Sequence, residues 1–180
     1  MQDVLRAGPK ADVGPVRYSA DGKTRRRLTV RNWSIRHSAF LEGLYALFSS
    51  GAAALHPLFQ RLGYERAEKP VAMVERSVKG LLFDCRMCGE CILSSTGMSC
   101  PMTCPKQLRN GPCGGVRANG NCEVITEMPC VWVKAWEGSR NMTDGNAILD
   151  LQPPLNQALR ETSTWLRLMR AGAAARESAP

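Results

Sequence analysis

Apolar and polar positions fall into distinct stretches along the 180-residue chain. Residues 1–22 show little periodicity and are punctuated by Gly8, Pro9, Gly14, Pro15 and Gly22, the pattern of an arm. From Ser38 to Leu62 the chain turns strongly apolar, and Gly43 to Gln60 carries no formal charge. That length approaches what a membrane span needs. Ser49, Ser50, Gly51, His56, Pro57 and Gln60 interrupt the run, however, and true spans are apolar throughout. The pattern instead predicts a short helix, a Ser-Ser-Gly break and a second short helix. Its apolar excess suits a partner-binding or membrane-touching surface, the partner being preferred, with plain core helices as the alternative.

Farther along, Val71, Val74, Val78 and Leu81 recur at helical spacing behind Lys69-Pro70. A helix over 69–82 follows, with Pro70 in its first turn, delivering Phe83 and Asp84 to the next stretch. Residues 85–130 hold Gly89, Gly97, Gly111, Gly114, Gly115 and Gly120 and read as turns rather than regular structure. Val131 to Trp136 fits a short strand or a helical turn carrying Trp132 and Trp136. Pro153-Pro154 precedes a C-terminal helix over about 155–170, on which Leu155, Leu159, Trp165, Leu166 and Met169 share one broad face. Residues 171–180 read as a frayed tail.

Charge changes this picture at one end. Residues 1–37 carry nine Lys and Arg against Asp3, Asp12 and Asp21, whereas the remainder of the +8 chain is nearly neutral. The first segment is thus a basic arm suited to an acidic partner or a solvated role. A nucleic-acid role is not expected, because Arg25-Arg26-Arg27 lacks an aromatic-interleaved basic face. Gly22-Lys23-Thr24 resembles the end of a phosphate-binding loop, but Arg17 stands where the first glycine is required. The length excludes a complete flavin-holding (β/α)8 barrel, which needs about 250 residues.

The eight cysteines all lie between Cys85 and Cys130. Residues 1–20 lack an apolar signal region, so a reducing cytoplasmic setting is expected, with disulfides the less favoured use of the thiols. The run is Cys85-x2-Cys88-x2-Cys91, then Cys100-Pro101, Cys104-Pro105, Cys113, Cys122 and Cys130. Three cysteines at two-residue intervals converge on one side of a tight loop and can hold three corners of an iron–sulfur cubane. A fourth ligand then arrives from farther along, often as Cys-Pro. Eight thiolates are the number two 4Fe–4S clusters require. Two four-cysteine zinc sites would use the same number. One cluster beside free or zinc-bound thiols is a further alternative. The preferred partition joins Cys85, Cys88 and Cys91 to Cys104, Cys122 or Cys130, leaving the other four for a second cluster. Lys106, Arg109 and Arg117 are candidates to offset thiolate charge, and Trp132 and Trp136 to shield it from water.

The expected fold is mixed and irregular: a small cysteine-rich metal-cluster domain with flanking α-helices and little sheet. Its segments are a basic N-terminal arm (1–37), an apolar helical partner-binding segment (38–65), the cysteine-rich iron–sulfur domain (66–170) and a tail (171–180).

Leu82-Phe83-Asp84-Cys85-Arg86-Met87-Cys88-Gly89-Glu90-Cys91, Ser99-Cys100-Pro101, Cys104-Pro105-Lys106, Asn110-Gly111-Pro112-Cys113-Gly114-Gly115 and Gly120-Asn121-Cys122-Glu123-Val124 resemble the methylenetetrahydrofolate reductase C-terminal domain family. So do Cys130-Val131-Trp132, Pro153-Pro154-Leu155-Asn156 and Thr162-Ser163-Thr164-Trp165. The resemblance covers about residues 80–167. In that family the domain also occurs as a separate chain, the small iron–sulfur subunit of two-subunit reductases. The resemblance implies clusters that relay electrons to or from a flavin, FAD, in a partner flavoprotein of the methylenetetrahydrofolate reductase type. Docking to other redox proteins is also implied, and zinc has been associated with the domain. The chain alone is expected to be non-catalytic. A structural subunit that scaffolds the reductase or a methyl-transfer complex is the rival expectation. The apolar 39–59 stretch and Leu159, Trp165 and Leu166 are the candidate contacts.

Overall fold

A computed structural model describes residues 22–177. It is a mostly helical domain with six α-helices among the described residues: α1 (Gly22–Arg36), α2 (Ser38–Ala54), α3 (His56–Leu62), α4 (Tyr64–Phe83), α5 (Val131–Ser139) and α6 (Thr164–Glu177). Extended pairing among these residues is confined to one isolated antiparallel bridge between Asn121 and Pro129. The irregular character expected of the domain thus belongs to residues 84–130 and 140–163, where short 3-10 turns are the only helical pieces.

The arm expected over 1–37 lies outside the described residues as far as residue 21. From Gly22 onward the chain is α1, which packs against α4 and α5. Its contacts are largely polar, which explains why hydrophobic periodicity did not reveal it. Ser34 Oγ donates to the Leu82 carbonyl at 2.9 Å, and Arg31 Nη1 to Thr103 Oγ1 at 3.4 Å. Just past its end, Ser38 Oγ donates to the Gly138 carbonyl at 2.7 Å. Arg31, Ser34, Ile35 and Ser38 are all buried.

The expected Ser-Ser-Gly break is absent, because α2 runs through it. Ser49 and Ser50 turn their hydroxyls back onto the Ala46 carbonyl, each at 2.9 Å, and stay within the helix. The break falls at Leu55, ahead of His56-Pro57. Proline has no N–H to continue the ladder and suits the first turn of the following helix. No single described helix is long and apolar enough to cross a membrane. Ser38–Ala52 and His56–Leu62 together have the length and composition of a broken span, bent by 55°.

Helix α4 begins before the expected residue 69, at Tyr64, so Pro70 lies inside it rather than at its start. The turn at Gly63, with φ of 84°, starts it, and Glu65 sits favourably in its first turn. The C-terminal helix also differs from expectation. Residues 157–159 form a separate 3-10 turn, and Glu161, at a φ of 66°, separates it from α6. Ser163 then caps α6, its Oγ accepting the Leu166 N–H at 3.2 Å. The helix continues to Glu177, through most of the segment expected to be a tail. Leu166 and Met169 bury against Ala52 of α2 and Ala67 of α4. A buried leucine contributes about 1.5–3 kcal/mol. Leu166 is therefore a core residue and not the partner contact expected of it.

Candidate metal centre

Helix α4 ends where the cysteines begin. Asp84 is left-handed, with φ of 52°, and the N–H groups of Asp84 and Cys85 return to the carbonyls of Gly80 and Lys79. This places Cys85 over the last turn of α4. Met87 and Gly89 are also left-handed, at 46° and 78°. Positive φ at alternating positions curls the chain tightly, and for methionine that conformation is strained. Neighbouring segments hold it. The Glu161 N–H donates to the Met87 carbonyl at 2.9 Å, and Thr164 Oγ1 and Arg167 donate to that of Gly89. Arg109 donates to the Glu90 carbonyl at 3.3 and 3.4 Å, while Glu90 Oε2 accepts the Asn156 N–H at 3.0 Å. A methyl group at Gly89 would overlap the Leu159 carbonyl, so this turn needs glycine for space as well as for φ.

Cys85, Cys88 and Cys91 line one small cavity, and the fourth cysteine lining it is Cys100. The structure thus places Cys100 beside the triplet, and not Cys104, Cys122 or Cys130, the fourth members expected from sequence. Cys100 is carried in by the turn Pro101–Thr103, where the buried Thr103 hydroxyl donates to the Cys100 carbonyl at 2.7 Å. All eight cysteines are free thiols. Burial pushes the Cys85 thiol up to about 11, and the nearby Cys91 adds to the rise against the Met87 N–H on its sulfur. Burial likewise raises Cys100, reinforced by Cys85, Cys91 and Cys88. Without a metal Cys85 and Cys100 thus favour the neutral thiol, and metal binding to them would release protons.

Cations lie in and near the walls of this cavity. Lys79 and Arg109 line it directly. Arg109 Nε and Arg167 Nη1 are buried without a hydrogen-bond partner. So are Nε and Nη2 of Arg31, whose remaining nitrogen holds Thr103 between Cys100 and Cys104. Unpaired buried guanidinium N–H groups are costly unless an anion is near. A four-thiolate donor set and these cations fit an anionic metal–thiolate group. The space is tighter: the cavity measures about 20 Å³, room for a single water or ion. Among the described residues no three His, Cys, Asp or Glu side chains form a ready-assembled metal-binding group. A cubane would need the sulfurs to move apart.

The other four cysteines are arranged differently. Cys104 and Cys122 share an apolar cluster with Met128 and Val131. Cys130 packs with Trp132 and Ala135 next to it. Cys113 is exposed, its thiol 3.4 Å from Glu123 Oε1, and that carboxylate also pairs with Lys106. The loop is closed by the Cys130 N–H donating to the Gly120 carbonyl and the Cys122 N–H to that of Met128, both at 2.9 Å. Of the three cations singled out from sequence, Arg109 alone lines the four-cysteine cavity. Lys106 is committed to Glu123, and Arg117 is exposed. Trp132 is buried, its Nε1 donating to the Leu108 carbonyl at 3.1 Å, whereas Trp136 is 53% exposed.

Sequence reasoning missed Lys79, Arg31 and Arg167. Lys79 sits on the same helical face as Val71 and Glu75, and its spacing from Glu75 was the one available signal. A second, larger hollow of about 290 Å³ lies beside the cysteine cavity, lined mainly by Leu41, Leu44, Phe48, Val78 and Trp165, and shares Lys79 and Cys91 with it.

In comparisons with known proteins, a family described as "Methylene-tetrahydrofolate reductase C terminal" matches residues 64–158, more than half of the chain. No curated protein and no solved structure matches it. The matched residues hold all eight cysteines, while α1, α2, α3 and α6 lie outside them.

Proposed function

This chain belongs to the methylenetetrahydrofolate reductase C-terminal domain family, and from that premise we propose that it is an iron–sulfur electron-transfer subunit working beside a flavoprotein of the reductase type. The observation that carries this reading is the gathering of Cys85, Cys88, Cys91 and Cys100 around one cavity with Lys79 and Arg109. A 4Fe–4S group held there would supply one-electron transfer to or from FAD in the partner chain. The chain's own residues hold the sulfurs in place through the turn at Met87 and Gly89. They exclude water with Phe83, Leu93 and Met102, all buried in the same apolar cluster as Cys88 and Cys100. Cys104, Cys113, Cys122 and Cys130 are the ligands proposed for a second group, in a cytoplasmic and reducing setting. The finer identity proposed is the small subunit of a two-subunit reductase, with other redox proteins as further docking partners.

One observation favours a second reading, a structural zinc site in a scaffold subunit. The cavity has room for one ion, and a zinc ion needs only four thiolates around it. Metal analysis of anaerobically purified full-length chain separates the two. Iron with acid-labile sulfide and a brown colour is expected. Colourless protein with stoichiometric zinc and no sulfide, from iron-replete cells, establishes the scaffold reading instead. Under either reading the chain should co-purify with a flavoprotein of the reductase type, and a chain that ignores such a partner in a pull-down contradicts both.

A further inference from the structure

Lys79 is 4% exposed and Glu75, one turn earlier on α4, is 1% exposed. Charged residues are almost never buried this deeply unless paired. Lys79 Nζ donates to Glu75 Oε1 at 2.6 Å and lies 5.5 Å from the centre of the Trp165 ring. The other Glu75 oxygen accepts from Ser163 Oγ at 2.7 Å and from the Trp165 N–H at 3.2 Å. Glu75 therefore serves the start of α6. A glutamine at 75 and an apolar residue at 79 would retain part of those contacts without burying two charges, which is costly. The ammonium must be kept for what lies on its other side, and there it lines the cavity of Cys85, Cys88, Cys91 and Cys100. The 2.6 Å pairing with the Glu75 carboxylate favours the protonated form of Lys79. The ammonium is thus a fixed positive charge, clamped by a carboxylate and an indole.

We propose that Lys79 is the charge-compensating residue of the four-cysteine centre, offsetting the net negative charge that these cysteines acquire when they hold a metal group. The inference rests on the metal-centre reading above and adds a residue that none of the cysteine motifs contains. It makes the centre's energetics depend on α4 and α6 as well as on the ligand loops. A nearby cation favours the more negative, reduced state of a bound cluster and so raises its potential.

The test uses the full chain, purified anaerobically, with Lys79→Met, Lys79→Arg and Glu75→Gln. With a cluster bound, Lys79→Met should shift the midpoint potential to more negative values at unchanged iron and sulfide. Lys79→Arg should restore it, and Glu75→Gln should shift it the opposite way. If the bound metal is zinc, the same charge is read as retention against a chelator. Loss should be severalfold faster in Lys79→Met and near wild type in Lys79→Arg. Should Lys79→Met fail to fold with Glu75 unpaired, the double variant Lys79→Met/Glu75→Gln is compared with Glu75→Gln alone, and the same directions are expected. A lysine with only a structural role would lower the melting temperature and leave potential and retention unmoved, which overturns the proposal. A wild-type chain that binds neither iron nor zinc overturns the metal-centre reading and this inference together. Binding by wild type with Lys79→Met indistinguishable from it overturns this inference alone.

Discussion

The two groups of four cysteines share one loop region but are built on different principles. Cys85, Cys88, Cys91 and Cys100 surround a cavity whose walls come from α4, the start of α6 and the turn after Cys100. Its backbone carbonyls are held by Glu161, Thr164, Arg109 and Arg167. Cys104, Cys113, Cys122 and Cys130 are spread between two apolar clusters and the surface, and the loop between them is closed mainly by its own backbone. Buried cations accompany the first group, whereas the pair Lys106–Glu123 beside Cys113 is exposed. The contrast teaches that thiol number and thiol environment are separate properties. The first four cysteines are positioned by packed helices and buried charges around them. The loop carrying the other four has few contacts beyond its own backbone to compensate its ordering entropy, so the proposed metal would matter more to its folding.

The widest expected gap comes from the ligands. Cys88→Ser should remove one metal group per chain and cost on the order of 5 kcal/mol through loss of bound metal. Cys113→Ser should leave metal at the first centre intact. Metal content and thermal melts of the two variants check this, and equal losses would mean that the eight thiols form one cooperative site. Next come the glycines. Gly89→Ala should destabilise by about 2–4 kcal/mol, because its methyl group meets the Leu159 carbonyl as well as an unfavourable φ. Gly114, at a φ of 80°, has open space around it, so Gly114→Ala should cost only about 1 kcal/mol. Denaturant melts of the two proteins side by side provide the comparison. The smallest effect is expected at Glu123. Hydrogen bonding from Lys106 holds its carboxyl below the usual carboxylate range. Any stabilisation is therefore present above the unfolded-state pKa and lost as pH falls through the folded one. Because the pair is exposed, Glu123→Gln should leave the melting temperature at neutral pH unchanged in high salt. A large salt-independent drop would show that this carboxylate supports the Cys113 loop directly.

Legibility in the sequence followed the range of the interactions involved. The helix ending near Phe83 and the turn-rich stretch from Cys85 to Cys130 were readable, because helical spacing and glycine content act over a few residues. Helix boundaries shifted where a local signal was answered by a side chain. Ser49 and Ser50 kept α2 intact by bonding to Ala46. Ser163 moved the start of α6 well past Leu155 by capping it. Helix α1 was read as part of an arm because its buried face is formed by Arg31, Ser34 and Ile35 rather than by an apolar stripe.

By itself the sequence determined that three sulfurs would share one side of a short loop. Two-residue spacing and the permissive Gly89 leave few other ways to turn the chain there. It also determined the family, through motifs that depend on residue identity rather than on packing. Which other cysteine would lie beside the triplet was decided only in three dimensions. Cys100 reaches the triplet through a turn supported by Thr103 and Arg31, and Arg31 belongs to a helix some seventy positions away. The same holds in part for Lys79: Glu75 is its neighbour along α4, but Trp165 and Cys100 come from segments brought to it only by tertiary packing. Charge acts through space over several ångströms. Its partners are set by how the chain closes on itself, and the order of residues along the chain does not reveal them.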